Sequence, residues 1–545
     1  MSAPIVGGTP AVSLLVHGGL VVDGSGSPGY RAAVAVVDGS VRILRGDVSA
    51  VPATRRIDAT DKVVSPGFID PHSHSALVVL DEPRLEGKVL QGVTTEVVGV
   101  DGLSYVPFAD VADLRRFVTL NSGIDGDPDL AYDWTDVAGY LARVDRQVTP
   151  NIATFVGNTA LRVTALGWDD VPADAAALTA QRAALALAMD QGALGLSTGL
   201  DYPPGGYATT EELVALSEVA AAAGGVYHTH VRYSLGDAYL DPFREALDIG
   251  RRTGIPIHVT HFSRSARAAH PGGARAMLEL LDGARDEGLD VTFDTYPYEW
   301  GGTRLMRLLP DWLQAGGPDL MRQRLADPSL RPRLREALEA SGAYRAYVTS
   351  RPFADVRLTN LRRPEHAHMD GRTLAEVAAA DDRHLADVIA DLLLAEDLRV
   401  TFVRPSPQGT TLPAFVAHPL SMIATDSVLI GSMPSPRAFG SYPRVLGDYV
   451  REERVLSLPD AIRRMTSFPA ARLGLHGRGL LTDGMAADIV VFDPATVRST
   501  ATYEQPRRSP IGISHVVIAG AVVVDEGRHT GATPGRALRR GGSSH

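Results

Sequence analysis

The feature that most constrains this chain is a repeated alternation along its middle. Between residues 63 and 427, eight apolar runs of strand length are separated by Ala/Leu-rich segments with helical periodicity. The runs cover 63–74, 94–102, 151–158, 192–199, 224–230, 255–261, 289–296 and 421–427. Strand and helix in strict alternation is the signature of βα units wound around one parallel sheet, and eight such units close a barrel. The expected fold class is therefore α/β, a (β/α)8 TIM-like barrel. The interval 297–420 is too long for a loop and contains helical patterns such as Arg372 to Leu398, so it is read as the last barrel helices with an inserted lid region.

The two chain ends have a different texture. Short β-branched runs broken by Gly and Asp turns occupy the first 62 residues and return after residue 478, which is strand and hairpin patterning. Both ends are expected to build one small β-sandwich domain, giving 1–62 and 478–545 to that domain and 63–477 to the barrel. The Arg/Gly/Ser tail from Arg536 is expected to fray.

Composition narrows the partners. A net charge of −11 without concentrated positive charge disfavours nucleic acid, whose phosphates need basic patches, and the longest apolar runs fall far short of a membrane span. No signal peptide is read at the N-terminus and there is no cysteine to form a disulfide, so the expected compartment is the cytoplasm. The expected partner is a small-molecule substrate, with self-association into a homo-oligomer left open. Lysine occurs only at Lys62 and Lys88, so a carboxylated or Schiff-base lysine cannot be built anywhere else.

Chemistry concentrates at the ends of the strand candidates, where barrel active sites sit. His72 and His74 form an H-x-H pair at the end of the first run, and a period of two turns both to one face. His230 and His261 end the fifth and sixth runs, one βα unit apart, and Asp426 adds a carboxylate at the eighth. Histidines also cap strands and satisfy core hydrogen bonds, but five such residues at strand ends make a mixed N/O set suited to Zn2+, or to Mn, Co or Fe. The cofactor expected is a divalent metal, Zn2+ foremost, with one or two ions per chain.

Longer segments carry a resemblance. "PGFIDPHSH", "GALGLSTGLDYPPGGYATTEEL", "DTYPY" and the block from Tyr442 to Pro494 resemble the N-acyl-D-amino-acid deacylase (D-aminoacylase) branch of the amidohydrolase superfamily, across nearly the whole chain. The resemblance implies that His72 and His74 serve one metal position, His230 and His261 the other, and that Asp426 is the catalytic carboxylate of an amide hydrolase. Three positions depart from the family pattern. Asp101 in "GVDG" stands where deacylases of this branch usually carry a bridging cysteine, Ser263 stands in place of a lysine, and Asn158 in place of a histidine. Asp101 can bridge two ions through two oxygens, or it can merely shape the turn before Gly102.

An acylated amino acid presents a free carboxylate, which arginine binds in bidentate fashion. Arg232, Arg264, Arg304 and Arg307 are candidates for that contact, Tyr296 can add a hydroxyl, and Tyr202 is a candidate donor to the developing oxyanion. The rival readings are a cyclic-amide hydrolase of the dihydroorotase or hydantoinase kind, many of which use a carboxylated lysine between the metals, a specialised biosynthetic amidohydrolase, and a non-catalytic binding protein that kept the fold, which the retention of all the proposed ligands argues against. Neither Lys62 nor Lys88 lies at a suitable strand end for that lysine.

Overall fold

The computed structural model describes residues 12–233, 238–264, 272–340, 355–405 and 411–542. All eight expected strands are present as parallel strands: β1 (Phe68–Asp70, resuming at Ser73–His74), β2 (Val93–Val98), β3 (Asn151–Thr154 and Val156–Gly157), β4 (Gly195–Gly199), β5 (Val226–His230), β6 (Ile257–Val259), β7 (Val291–Thr295) and β8 (Ser421–Ile423, resuming at Ser427–Val428). Pairing runs β1 to β2 to β3 in one ladder and from β3 through β4, β5, β6 and β7 to β8 in another. Ser427 and Val428 of β8 also pair with Ser73 and His74 of β1. The three strands that break and resume do so next to the polar residues at the mouth.

Helices cover the outer face for local reasons. Asp110, Asp136 and Asp174 accept hydrogen bonds from first-turn N–H groups of helices Val111–Asp125, Val137–Val144 and Ala175–Asp190, fixing where each begins. Phe243 and Phe262 pack edge to face, and Phe262 continues the contact to Phe293 and Phe415, so one aromatic chain ties the outer layer to β7. Within 297–420 the described residues include a three-stranded antiparallel sheet, Trp300–Arg304 and Arg357–Thr359 flanking Thr401–Pro405, together with helices.

The chain ends pair as two sheets. One has four strands in the order Ser40–Leu44, Ala33–Val37, Val12–His17, Ala53–Asp58, and the other has seven, including Leu20–Val21, Val63–Pro66, Ile489–Phe492, Ile513–Ile518 and Ala521–Asp525. Leu14, Val16, Val34 and Val36 of the first share a buried cluster with Ile489, Val491 and Val517 of the second. Two expectations are corrected. Val63–Pro66, read as the start of the first barrel strand, is a strand of the terminal sheet paired with Leu20–Val21 and Ile489–Phe492; the single apolar run serves two sheets, with Gly67 at the join. The tail does not fray at Arg536: Ala537 bridges to Ile152, and Leu538 is buried and donates to the Ile152 carbonyl at 2.8 Å, because the run pairs beside β3. No helix among the described residues is long and apolar enough to cross a membrane.

Candidate metal centre

The C-terminal ends of β1, β5, β6 and β8 and the turn after β2 aim their side chains at one point, the Oδ2 atom of Asp101. His72 Nε2 and His261 Nε2 each lie 3.4 Å from it, His230 Nδ1 3.5 Å and His74 Nε2 3.8 Å. Asp426 Oδ1 stands 3.2 Å from His74 Nε2 and 3.5 Å from His72 Nε2, and His230 Nδ1 is 3.0 Å from His261 Nε2. Two buried groups share Asp101: His72, His74, Asp101 and Asp426 on one side and Asp101, His230 and His261 on the other; a third, His72, His228 and Asp294, lies behind His72. Adjacent ligands about 2.1 Å from a tetrahedral ion stand about 3.4 Å apart, which matches these separations. His72 Nε2 is a buried polar atom with no hydrogen-bond partner, and a cation would satisfy it. The donor set therefore fits one or two divalent ions.

The far side of three ligands is fixed as a metal ligand requires. His72 Nδ1 faces Asp294 Oδ2 at 3.2 Å, His230 Nε2 faces Asp201 Oδ2 at 3.2 Å, and the Tyr233 hydroxyl lies 2.9 Å from His261 Nδ1. Asp294 also accepts from the His261 backbone N–H at 2.8 Å. Backbone strain collects here as well. Asp101, His261 and Asp426 have φ of +52°, +33° and +45°, left-handed values that cost non-glycine residues on the order of 1–3 kcal/mol each and persist only where the surroundings impose them.

Electrostatics follow from this crowding. Burial works against the charged form of every group, yet the opposite charges prevail. The Asp101, Asp294 and Asp426 carboxylates hold His72 well above the usual imidazole range, and Tyr202, Asp101 and Asp201 do the same for His230. The histidines in turn hold Asp101 far below the usual carboxylate range, and Arg437, followed by His72, does so for Asp426. Both carboxylates are anions at neutral pH.

The substrate candidates separate. Tyr202 is buried with its ring 4.9 Å from that of His230, and the Arg304 guanidinium lies 4.7 Å over the Tyr202 ring while it donates to the Leu120 carbonyl and Asn121 Oδ1. Arg307 pairs with Asp201 at 3.4 Å. Arg232 corrects its expectation: Nε and Nη2 grip Glu245 at 2.8 and 3.2 Å, and Nη1 and Nη2 donate to the Gly206 and Ala208 carbonyls, so it braces the Tyr202 loop from behind. Arg264 follows Ser263 in the turn Phe262–Arg264, and its side chain lies outside the described residues. Ser197 and Thr198 lie within β4. Asn158 donates to the Gly205 carbonyl at 2.9 Å and so fastens the end of β3 to the same loop, while Ser263 Oγ pairs with Thr295 Oγ1 at 2.9 Å.

Several residues were not singled out from the sequence, among them Asp294 and Tyr233, which hold His72 and His261, and Asp201 and Arg437. Asp201, which holds His230, follows β4 by two positions. Arg437 opens helix Arg437–Arg444, is fully buried, and places Nη1 2.8 Å from Asp426 Oδ2 with its guanidinium 4.4 Å over the Tyr296 ring. None of its three nitrogens has an aligned hydrogen-bond partner. Beyond the nitrogen that faces Asp426, this buried guanidinium has N–H groups that could take an anion beside the metal ligands.

Comparison with known proteins agrees with this geometry. A model of the amidohydrolase family matches residues 55–524. N-acyl-D-glutamate deacylase of Alcaligenes xylosoxydans xylosoxydans is 34% identical over 98% of this chain and 97% of its own length. The crystal structure of N-acyl-D-glutamate deacylase from Bordetella bronchiseptica, complexed with zinc and a phosphonate mimic of the tetrahedral intermediate, superimposes with a TM-score of 0.79 at 32% identity, covering 97% of this chain and 100% of that one. A D-aminoacylase studied for its binuclear metal centre, with one-metal activation and second-metal attenuation, gives a TM-score of 0.78 at 30% identity over 97% and 100% of the two chains.

Proposed function

Since the chain belongs to the amidohydrolase family, in its N-acyl-D-amino-acid deacylase branch, we propose that it hydrolyses the amide bond of an N-acyl-D-amino acid, releasing a carboxylate and the free D-amino acid. The observation that carries this reading is the pairing of a two-sided His/Asp metal centre with the buried guanidinium of Arg437 beside it. His72, His74 and Asp426 would hold one ion, His230 and His261 the other, with Asp101 between them. A divalent ion bound there supplies positive charge that acidifies water and polarises the scissile carbonyl.

The protein's own residues do the rest. Asp426, ionised and 3.2 Å from His74, takes a proton from the attacking water and returns it to the leaving nitrogen. Arg437 receives the α-carboxylate, with Tyr296 beneath it. The same guanidinium lies 2.8 Å from Asp426 Oδ2, so it orients the carboxylate as well. Tyr202, held by Arg304, borders the site beside His230 and is placed to meet charge developing on the carbonyl oxygen. Ring-opening of a cyclic amide is less well served, because Lys88, the only buried lysine, is engaged by Asp70 and Glu96.

The test is a substrate pair differing only at the α-carboxylate. With N-acetyl-D-amino acid and its carboxamide, kcat/KM should favour the acid by 100-fold or more, a charge-assisted contact being lost in the amide. Arg437→Met should erase that preference. Equal turnover of acid and amide by the wild type would end the assignment of Arg437.

A further inference from the structure

Beneath the metal centre, where β8 meets β1, lies a polar cluster that the chemistry does not use. Lys88, in the short helix Glu86–Val89, projects its ammonium into a space where Asp70, Ser73, Ser75, Glu96, Thr425 and Ser427 are all buried. The ammonium contacts Asp70 Oδ2, and lies 2.9 Å from Glu96 Oε1, 2.5 Å from Thr425 Oγ1 and 3.0 Å from Ser427 Oγ. Asp70 relays the grip to the backbone. Its Oδ1 accepts from the His72 N–H at 3.3 Å and from the Thr425 N–H at 3.0 Å, while Oδ2 accepts from the Thr425 hydroxyl at 2.5 Å.

The residues gripped in this way flank the two sides of the metal site. Thr425 immediately precedes Asp426, whose own N–H donates to the His72 carbonyl at 2.9 Å and whose φ is +45°. In this corner β8 is interrupted between Ile423 and Ser427, and β1 between Asp70 and Ser73. Backbone pairing in this corner is reduced to the Asp426 N–H bond to the His72 carbonyl and the short pairing of Ser427 and Val428 with Ser73 and His74, so side-chain bonds carry much of what holds Asp426 against His72 and His74. A buried ammonium bridging carboxylates and hydroxyls from β1, β2 and β8 does so from one point.

We propose that Lys88 is a positioning residue: through Asp70 and Thr425 it locks the interrupted corners of β1 and β8 together and so sets the geometry of the His72, His74 and Asp426 metal position. The inference rests on the reading of that position as a metal site. It gives a function to one of only two lysines in the chain.

Removing the ammonium alone would leave two buried carboxylates facing each other, so two gentler variants are used. K88M/E96Q removes the cation and the carboxylate that lacks backbone donors, whereas Asp70 keeps its three donors. T425V cuts the hydroxyl link from Lys88 and Asp70 to β8 and changes no charge. Zinc is titrated into metal-free wild type and both variants, and folded fraction is measured by near-UV circular dichroism in the same samples. Residues acting behind metal ligands typically change affinity or activity roughly 10- to 100-fold. The zinc Kd of the position that His74→Ala weakens should rise by that factor in both variants, and kcat should fall similarly at unchanged KM. Zinc titrations superimposable on wild type at equal folded fraction would overturn the proposal. Absence of deacylase turnover in the wild type would instead count against the assigned reaction, while the zinc arm still decides the role of Lys88.

Discussion

Asp426 is asked both to help hold a cation and to move a proton, and Asp426→Asn separates these from folding. The amide keeps the shape and one donor oxygen, so zinc content should persist while kcat falls at least about 100-fold, the usual minimum for a lost general acid/base; a variant keeping a tenth of wild-type kcat contradicts the role. Asp101 makes a different demand. Its Oδ2 lies 3.4 to 3.8 Å from a ring nitrogen of all four histidines, so Asp101→Ala should lower zinc stoichiometry or affinity, whereas a residue that only shaped the turn before Gly102 would change stability at constant metal content. The charge balance also sets a pH dependence. His72 and His230 are held above the usual imidazole range by their carboxylates, so in the metal-free protein they stay protonated at neutral pH, and a cation can bind only as those protons leave. Zinc uptake at pH 7, followed by calorimetry in two buffers of different ionisation enthalpy, should release at least one proton per chain, and affinity should fall as pH is lowered. Uptake without proton release would contradict the ligand assignment.

At the scale of elements, the site depends on how closely β4 approaches the turn after β2. A Cβ built on Gly199 would lie 1.9 Å from the Asp101 carbonyl oxygen, and one on Gly157 would lie 2.3 Å from that of Gly102. Neither glycine has a left-handed φ, so the requirement is for space. Gly199→Ala should cost about 1–3 kcal/mol by overpacking and, because the displaced backbone carries Asp101, should also weaken zinc binding; a loss of stability with wild-type zinc affinity would show that the turn moves independently of the ligand. The strands themselves were legible because an apolar run ending in a polar residue is a local pattern, and all eight runs hold a barrel strand. Their starts and breaks were not legible: Val63–Pro66 belongs to the terminal sheet, since pairing partners more than 400 residues away decide which sheet an apolar run joins.

For the whole molecule, H-x-H, two strand-end histidines and Asp426 pointed to a convergent centre, and the coordinates bring those residues together around Asp101. Contacts that hold the centre could not be read in advance. Arg437 reaches Asp426 from the helix that follows β8, Asp201 reaches His230 across the end of β4, and Lys88 reaches under the site from a one-turn helix; no periodicity encodes such meetings. Arg232 misled because an arginine two residues past a ligand reads as a pocket residue, when Glu245 and two carbonyls claim it. The central claim is that this assembly cleaves the amide of N-acyl-D-amino acids, and it is tested most directly by release of free amino acid from matched D and L N-acetyl substrates by zinc-reconstituted enzyme, with hydantoin and dihydrouracil as controls. The account predicts zinc-dependent turnover of D substrates, at least 100-fold weaker turnover of their L counterparts, and no ring-opening; folded, zinc-loaded protein that leaves every D substrate intact, or that opens the cyclic amides instead, would contradict it.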